Sequence, residues 1–182
     1  MSETYIIPNP AIDGWMDEKE LNWLYTTALE MASVVEVGSW RGRSTSALLS
    51  GCKGPVFAVD TWKGSPDEIN GTHADAVTQD IFAQFWGNVG QFKNLVPIRM
   101  DSSAAAAFFA PKSIDMVFID GCHGRESVLA DLKAWMPVCR CILCGHDLNQ
   151  GGVMPALQDM KVDYVKHDGS LWSYDMRKEG SV

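Results

Sequence analysis

The sequence has no apolar run approaching the roughly 18 residues that a membrane helix requires. Its longest candidate, Ala104 to Ala110, closes at Pro111, so no membrane partner is expected. The first residues, Met1-Ser-Glu-Thr-Tyr5, lack the basic start and apolar stretch of a secretory leader, and a cytoplasmic protein is expected. Positive charge is scarce: 15 Lys and Arg against 23 Asp and Glu leave a formal net charge of −8. That argues against a nucleic-acid partner, because polyphosphate binding relies on clustered Lys and Arg. Only Arg41, Arg43 and Lys53 gather near a candidate site. Linkers, repeats and low-complexity tracts are missing. The five cysteines are an odd number, and Cys139, Cys141 and Cys144 lie too close together for a spread disulfide framework. Free thiols in a reducing compartment are the simpler reading.

What is present is ordinary globular material. At 182 residues, 46% hydrophobic and 21% charged, the chain suits one domain with a sizeable core. A single domain is expected over 1–182, with an N-terminal helical segment at 1–32 and a Rossmann-like core at 33–182.

Hydrophobic patterning alternates strands with helices. Asp17 to Met31 reads as a helix opened by a capping-box pair, Asp17 and Glu20. Val34 to Val37 is a short buried strand ending at Gly38, and Arg43 to Ser50 a helix stopped by Gly51. Pro55 to Asp60 is the second strand, followed by a turn-rich stretch and a helix from Asp75 to Trp86. Leu95 to Met100 is a third strand and Ser102 to Phe109 a short helix. Ile114 to Asp120 is the clearest strand, and Arg125 to Met136 a helix ended by Pro137. Cys139 to Cys144 forms the fifth strand, Pro155 opens a helix reaching about Met160, and Asp168-Gly-Ser170 turns a hairpin. Helix-length crossovers imply parallel pairing with right-handed connections. The expected fold is a three-layer α/β/α Rossmann-like domain, mostly parallel, with an antiparallel C-terminal hairpin strand. Ligands in such sheets bind at the carboxyl ends of the strands.

Four acids stand at or just beyond those ends: Asp60, Asp101, Asp120 and Asp147. Each alone could cap the next helix or turn, as Asp often does. Together on one rim they concentrate negative charge, which costs stability unless hydroxyls, amides or a cation receive it. The loop Glu36-Val-Gly38-Ser-Trp-Arg-Gly42-Arg-Ser44 carries glycines that let backbone approach a ligand closely. Its Gly-x-x-x-Gly spacing is not the Gly-x-Gly-x-x-Gly of dinucleotide binding, so a ligand without phosphates is favoured. Asp60 lies 24 residues beyond Glu36, close to where a ribose-binding acid falls in Rossmann-type folds.

These segments resemble the class I S-adenosylmethionine methyltransferases. The nearest subgroup is the small one that includes catechol O-methyltransferase-like and macrolide-sugar O-methyltransferase-like enzymes. The resemblance is carried by Val35-Glu-Val-Gly-Ser-Trp-Arg-Gly-Arg-Ser-Thr45, Ala58-Val-Asp-Thr-Trp62, Ile119-Asp-Gly-Cys-His123 with Asp131-Leu, and Gly145-His-Asp147. It implies that Glu36, Gly38, Ser39 and Gly42, with Ser44 nearby, surround the methionine part of S-adenosylmethionine. Asp60 would accept both ribose hydroxyls. Thr61 or Trp62 would pack on adenine, with Trp62 equally readable as a core aromatic, and Asp101 and Ser102 would bind its edge. Asp120, His146 and Asp147 match positions that often hold a divalent cation. The two carboxylates suit Mg²⁺, whereas His146 departs from an all-oxygen set and suits Mn²⁺ or Zn²⁺ better. His146 could instead contact substrate or orient Asp147.

The implied activity is methyl transfer to a hydroxyl of a small-molecule acceptor. Asp120 and His123 are the candidate catalytic residues, with His123 the first choice of base; a loop His bonded to backbone is its plainer reading. Alternatives are a nicotinamide-dependent oxidoreductase and a non-catalytic S-adenosylmethionine-binding module. Strand alternation puts Cys139 and Cys141 on one face and Cys144 on the other, which speaks against a zinc site with His146. The hairpin edge and surface aromatics would permit a homodimer.

Overall fold

The computed structural model describes residues 11–65 and 68–178. Its strands are β1 (Val34–Val37), β2 (Val56–Asp60), β3 (Leu95–Arg99), β4 (Ile114–Ile119), β5 (Cys139–Gly145), β6 (Val165–Lys166) and β7 (Trp172–Asp175). They form a seven-stranded sheet in the order β3-β2-β1-β4-β5-β7-β6. The pairs from β3 through β5 are parallel, while β7 runs antiparallel to both β5 and β6. The hairpin is therefore not simply laid on the edge: β7 slots beside β5, and β6 becomes the outermost strand.

The apolar faces of the strands specify the three layers. On one face, Val34, Ala58, Met116 and Phe118 pack under α1 (Glu18–Ala28), α2 (Arg43–Gly51) and α4 (Ile81–Val89). On the other, Val35, Val37, Val117, Ile119 and Leu143 pack under α5 (Ser102–Ala106), α6 (Arg125–Trp135) and α7 (Val153–Asp159). β4 is buried at all six positions, as a central parallel strand covered on both faces requires.

Local chemistry moves some boundaries. The helix expected from Asp75 to Trp86 is two helices, α3 (Asp75–Thr78) and α4, with Gln79 extended between them. Asp80 causes the restart: its carboxylate accepts from the amide of Ala83 at 3.0 Å, making it an N-cap. Pro155 does not open α7, which begins two residues earlier at Val153. Pro155 is tolerated because N–H groups in the first turn have no intrahelical acceptor. The cysteine alternation also shifts. Ile114 faces Cys139 but Met116 faces Ile142, so β5 carries an extra residue. Cys139 consequently joins the α6 side, and Cys141 falls with Cys144 on the α1 side.

The parallel strand ends from β1 to β5 share one rim. Gly38 brings β1 and β4 together there with φ +87°, and a Cβ on it would lie 2.1 Å from the carbonyl oxygen of Asp120. No helix among the described residues is long and apolar enough to cross a membrane.

Candidate cofactor and acceptor cleft

The rim opens into a cleft of about 680 Å³, within the range that holds a small-molecule ligand. Gly38, Ser39 and Ser44 line it from the first loop, and Asp60 and Thr61 from the end of β2. Asp101 and Ser102 line it after β3, Asp120 and His123 after β4, and His146 and Asp147 after β5. Those residues converge on one space.

Three others lie off its wall. Glu36 is fully buried on the α2 side of β1 and accepts from the hydroxyls of Ser39 at 2.7 Å, Ser44 at 2.6 Å and Thr45. It braces the loop from beneath. Burial pushes its carboxyl up to about 7 despite those hydroxyls. Gly42 caps α2 at φ +92°, where a Cβ would press on Phe85 and Val89. Trp62 is 3% exposed, with its ring centroid 4.7 Å from Phe82 and 4.8 Å from Phe85, so it is a core aromatic.

Asp60 does more for the loop than the sequence suggests. One oxygen accepts from the amides of Ser39 at 2.9 Å and Trp40 at 2.8 Å, and the other from Trp62 at 2.6 Å. A carboxylate has roughly four acceptor positions, so about one remains for a ligand rather than the two that both ribose hydroxyls would need. The residue keeps some surface, yet its carboxylate is enclosed, and burial raises it against the pull of the three amides. Holding that loop requires strain, since Trp40 sits at φ +46° and Trp62 at φ +53°.

After β3, Asp101 caps α5 by accepting from Ala104 at 3.1 Å. The Ser102 oxygen accepts the indole N–H of Trp135 at 2.8 Å. Asp131 lines the cleft as well.

The ends of β4 and β5 build the densest group. His146 is 7% exposed. Its Nε2 lies 2.8 Å from Glu20 Oε1 and 2.9 Å from the Ser170 hydroxyl. Its Nδ1 faces Asp120 Oδ1 at 3.5 Å and Asp147 Oδ2 at 3.3 Å. Burial opposes the imidazolium, but hydrogen bonds to Asp120, Asp147 and Glu20 outweigh it and push His146 up to about 12. Asp147, at φ +54°, is lowered far below the usual carboxylate range; burial opposes this, and His123 and His146 overcome it. His123 bridges two acids, with Nε2 2.7 Å from Asp147 and Nδ1 3.3 Å from Glu68. Its bond to Asp147 raises it above its ordinary value, partly opposed by burial.

The ligand atoms of Asp120, His146 and Asp147 lie within 4.8 Å of one another. Ions that bind N and O at about 2.0–2.2 Å need neighbouring donors roughly 3 Å apart, which these approximate. Glu20 holds the far nitrogen of His146 as a carboxylate commonly holds a metal-ligating imidazole.

Sequence reasoning missed several members of this site. Glu20 was legible only as a capping-box residue, and its other oxygen does accept from the Asp17 amide at 2.9 Å. Glu68 and His73, paired at 3.2 Å, come from the turn-rich excursion, which has no periodicity to orient a side chain. The His73 ring centroid lies 4.4 Å from Trp40, tilted, and 5.5 Å from Trp15, edge-on, giving the outer cleft an aromatic wall.

Residues 35–148, well over half of the chain, match the family described as "Methyltransferase domain". The chain belongs to that methyltransferase family. The fold is also shared with solved O-methyltransferases. Among solved structures, the cofactor-bound Rv0187 from MTB is similar at a TM-score of 0.66 and 17% identity, covering 92% of this chain and 83% of that one. An S-adenosylmethionine-dependent O-methyltransferase from Thermotoga maritima is similar at 0.63 and 13% identity, covering 92% and 68% respectively. An O-methyltransferase from Bacillus cereus, solved with S-adenosylhomocysteine, is similar at 0.61 and 14% identity, covering 91% and 84%. At these identities the likeness is one of fold. In sequence, the uncharacterized protein y4gI of Sinorhizobium fredii is 28% identical over 141 residues, 74% of this chain. The matched stretch is 15% of that protein's length.

Proposed function

We propose that this methyltransferase domain moves a methyl group from S-adenosylmethionine to a hydroxyl of a small molecule. The observation that carries the reading is convergence. Gly38, Asp60, Asp101–Ser102 and Asp120 come from four separate strand ends and face one cleft. When bound, the cofactor supplies a methyl group on a positively charged sulfonium.

The residues divide that cleft. Gly38 lets the first loop come close, with Ser39 and Ser44 on the same wall to hold the amino-acid end. Asp60 offers its remaining acceptor position to one ribose hydroxyl. Asp101 and Ser102 border the base. At the other end, Trp15, Trp40 and His73 exclude water beside the acceptor, and His123 takes the proton of its hydroxyl. Alignment of the two reactants supplies much of the acceleration.

Asp120, His146 through Nδ1, and Asp147 would hold a divalent ion, which lowers the pKa of a bound hydroxyl. An imidazole nitrogen in the set favours Mn²⁺ over Mg²⁺. The nicotinamide alternative is disfavoured by the first loop itself. Its Ser39 and Trp40 amides, which would have to face a pyrophosphate, are already given to Asp60.

The test is turnover. Purified protein with S-adenosylmethionine, Mn²⁺ and a panel of small hydroxylated acceptors should release S-adenosylhomocysteine only when an acceptor is present. No release with any of them while the cofactor binds would support the non-catalytic binding module instead.

A further inference from the structure

His73 borders the outer cleft with one ring nitrogen tied and the other open. Its Nδ1 accepts the amide N–H of Ser65 at 3.0 Å, and a ring nitrogen that accepts carries no hydrogen. The imidazole is therefore neutral, with its hydrogen on Nε2. Two observations agree with that tautomer. Glu68 Oε2 stands 3.2 Å from the same Nδ1 yet has no hydrogen-bond donor, as it must if Nδ1 offers only a lone pair. Burial also holds the ring below its ordinary value, against the pull of Glu68 and Asp60. The ring is fixed in place as well. Its centroid lies 4.4 Å from Trp40, whose amide Asp60 holds at 2.8 Å. Among the described residues no partner meets Nε2, and it is not one of the enclosed atoms left without one. The side chain is 14% exposed, and the space it lines is the cleft.

A donor held in one place among aromatic faces selects for an oxygen on whatever lies against it. Charge says which kind of oxygen. Glu68, Asp60 and Asp120 all act on His73 as negative neighbours, and Asp147 lines the same cleft. An anionic group brought there would meet like charge, whereas an uncharged oxygen would not. We propose that His73 Nε2–H is a specificity-determining donor to the methyl acceptor, which presents to it a second, uncharged oxygen besides the hydroxyl that is methylated. This rests on the acceptor reading proposed above, and it gives the turn-rich excursion a task in substrate choice.

The experiment uses three phenols that share a ring and a hydroxyl and differ only in the ortho group. In 2-methoxyphenol that group offers an uncharged oxygen, in 2-ethylphenol a methylene replaces the oxygen, and in salicylate it is a carboxylate. Their affinities for protein saturated with S-adenosylhomocysteine are read by NMR titration at about pH 7.5. The wild type should bind 2-methoxyphenol about tenfold more tightly than either of the others, the scale of one hydrogen bond made or left unmade. His73→Phe keeps a ring against Trp40 without the donor, and the preference over 2-ethylphenol should fall below about twofold. His73→Gln places an amide N–H near the position of Nε2 and should restore a preference of about fivefold. A merely structural role would lower all three affinities together and leave their ratios intact. Ring-nitrogen NMR of the wild type keeps the test alive should neither variant fold, because the chain has only four histidines to assign. It should show His73 as the Nε2–H tautomer, shifted by 2-methoxyphenol and not by 2-ethylphenol. A hydrogen on Nδ1, equal or absent affinity of the wild type for those two phenols, tighter binding of salicylate, or an unchanged ratio in folded His73→Phe each overturns the inference while the cofactor reading stands. Failure of the wild type to bind S-adenosylhomocysteine removes the cofactor reading itself.

Discussion

Glu20 and His146 are 126 positions apart in the chain, yet their side chains meet at 2.8 Å in the buried floor of the cleft. Glu20 also accepts from the amides of Asp17 and Ser170, so a single carboxylate joins α1, the β5 end and the hairpin turn. Replacing it should therefore loosen three elements. Glu20→Ala should destabilise the fold by about 1–3 kcal/mol, the cost of leaving buried partners unsatisfied. It should also weaken Mn²⁺ binding about 10–100-fold, as loss of a carboxylate behind a ligating His does. Chemical denaturation and calorimetric Mn²⁺ titration check the two effects. Unchanged values in both would show that the contact does not organise the site.

A pH dependence of stability follows from two buried carboxyls. Burial pushes Glu36 up to about 7 in the fold from an ordinary 4.5, and Asp131 up to about 6 from 3.8. Both are raised, so the folded state binds more protons than the unfolded chain across that window. Stability is then fullest below about pH 4 to 4.5 for these groups and falls as pH rises through about 6 to 7. Glu36→Gln removes the larger share and should flatten the decline between about pH 5 and pH 8 by on the order of 1–3 kcal/mol. Urea denaturation across that range measures it, and parallel curves for variant and wild type would refute it.

Gly38→Ala tests the close approach of β1 to β4. The added methyl would lie 2.1 Å from the Asp120 carbonyl oxygen in a φ +87° conformation. The expected outcome is a loss of about 1–3 kcal/mol together with loss of cofactor binding. Thermal denaturation and S-adenosylhomocysteine titration report it. A variant that binds normally would mean the loop has room to spare.

His123→Gln should separate chemistry from binding. Turnover should fall about 10²–10⁴-fold, the usual contribution of a positioned acid or base. Affinity for S-adenosylhomocysteine should stay within about twofold, because the proposed function puts His123 beside the acceptor. An equal loss in both would make it a binding residue.

The strand ends were readable because alternating layers of Val, Ile and Phe specify β1, β2 and β4, and a sheet of that kind brings its ends to one rim. Asp60, Asp101, Asp120 and Asp147 follow from that placement. What the sequence hid was which way each side chain turns. Glu36 lies under the loop because residue 36 shares a face with Val34, toward α2. Trp62 turns into the core beside Phe82 and Phe85. Glu20, Glu68 and Asp131 enter the site through contacts between segments far apart in sequence, and no local spacing encodes those. The bulge in β5 that moved Cys141 has the same origin: it depends on how two strands meet, not on either alone.

The most direct measurement is a calorimetric titration of the purified protein with S-adenosylhomocysteine, run beside NADH and repeated on Asp60→Ala. One molecule of S-adenosylhomocysteine should bind per chain, NADH should give no saturable heat, and the Asp60→Ala protein should bind at least about tenfold more weakly. Saturable NADH binding with none for S-adenosylhomocysteine would contradict the account.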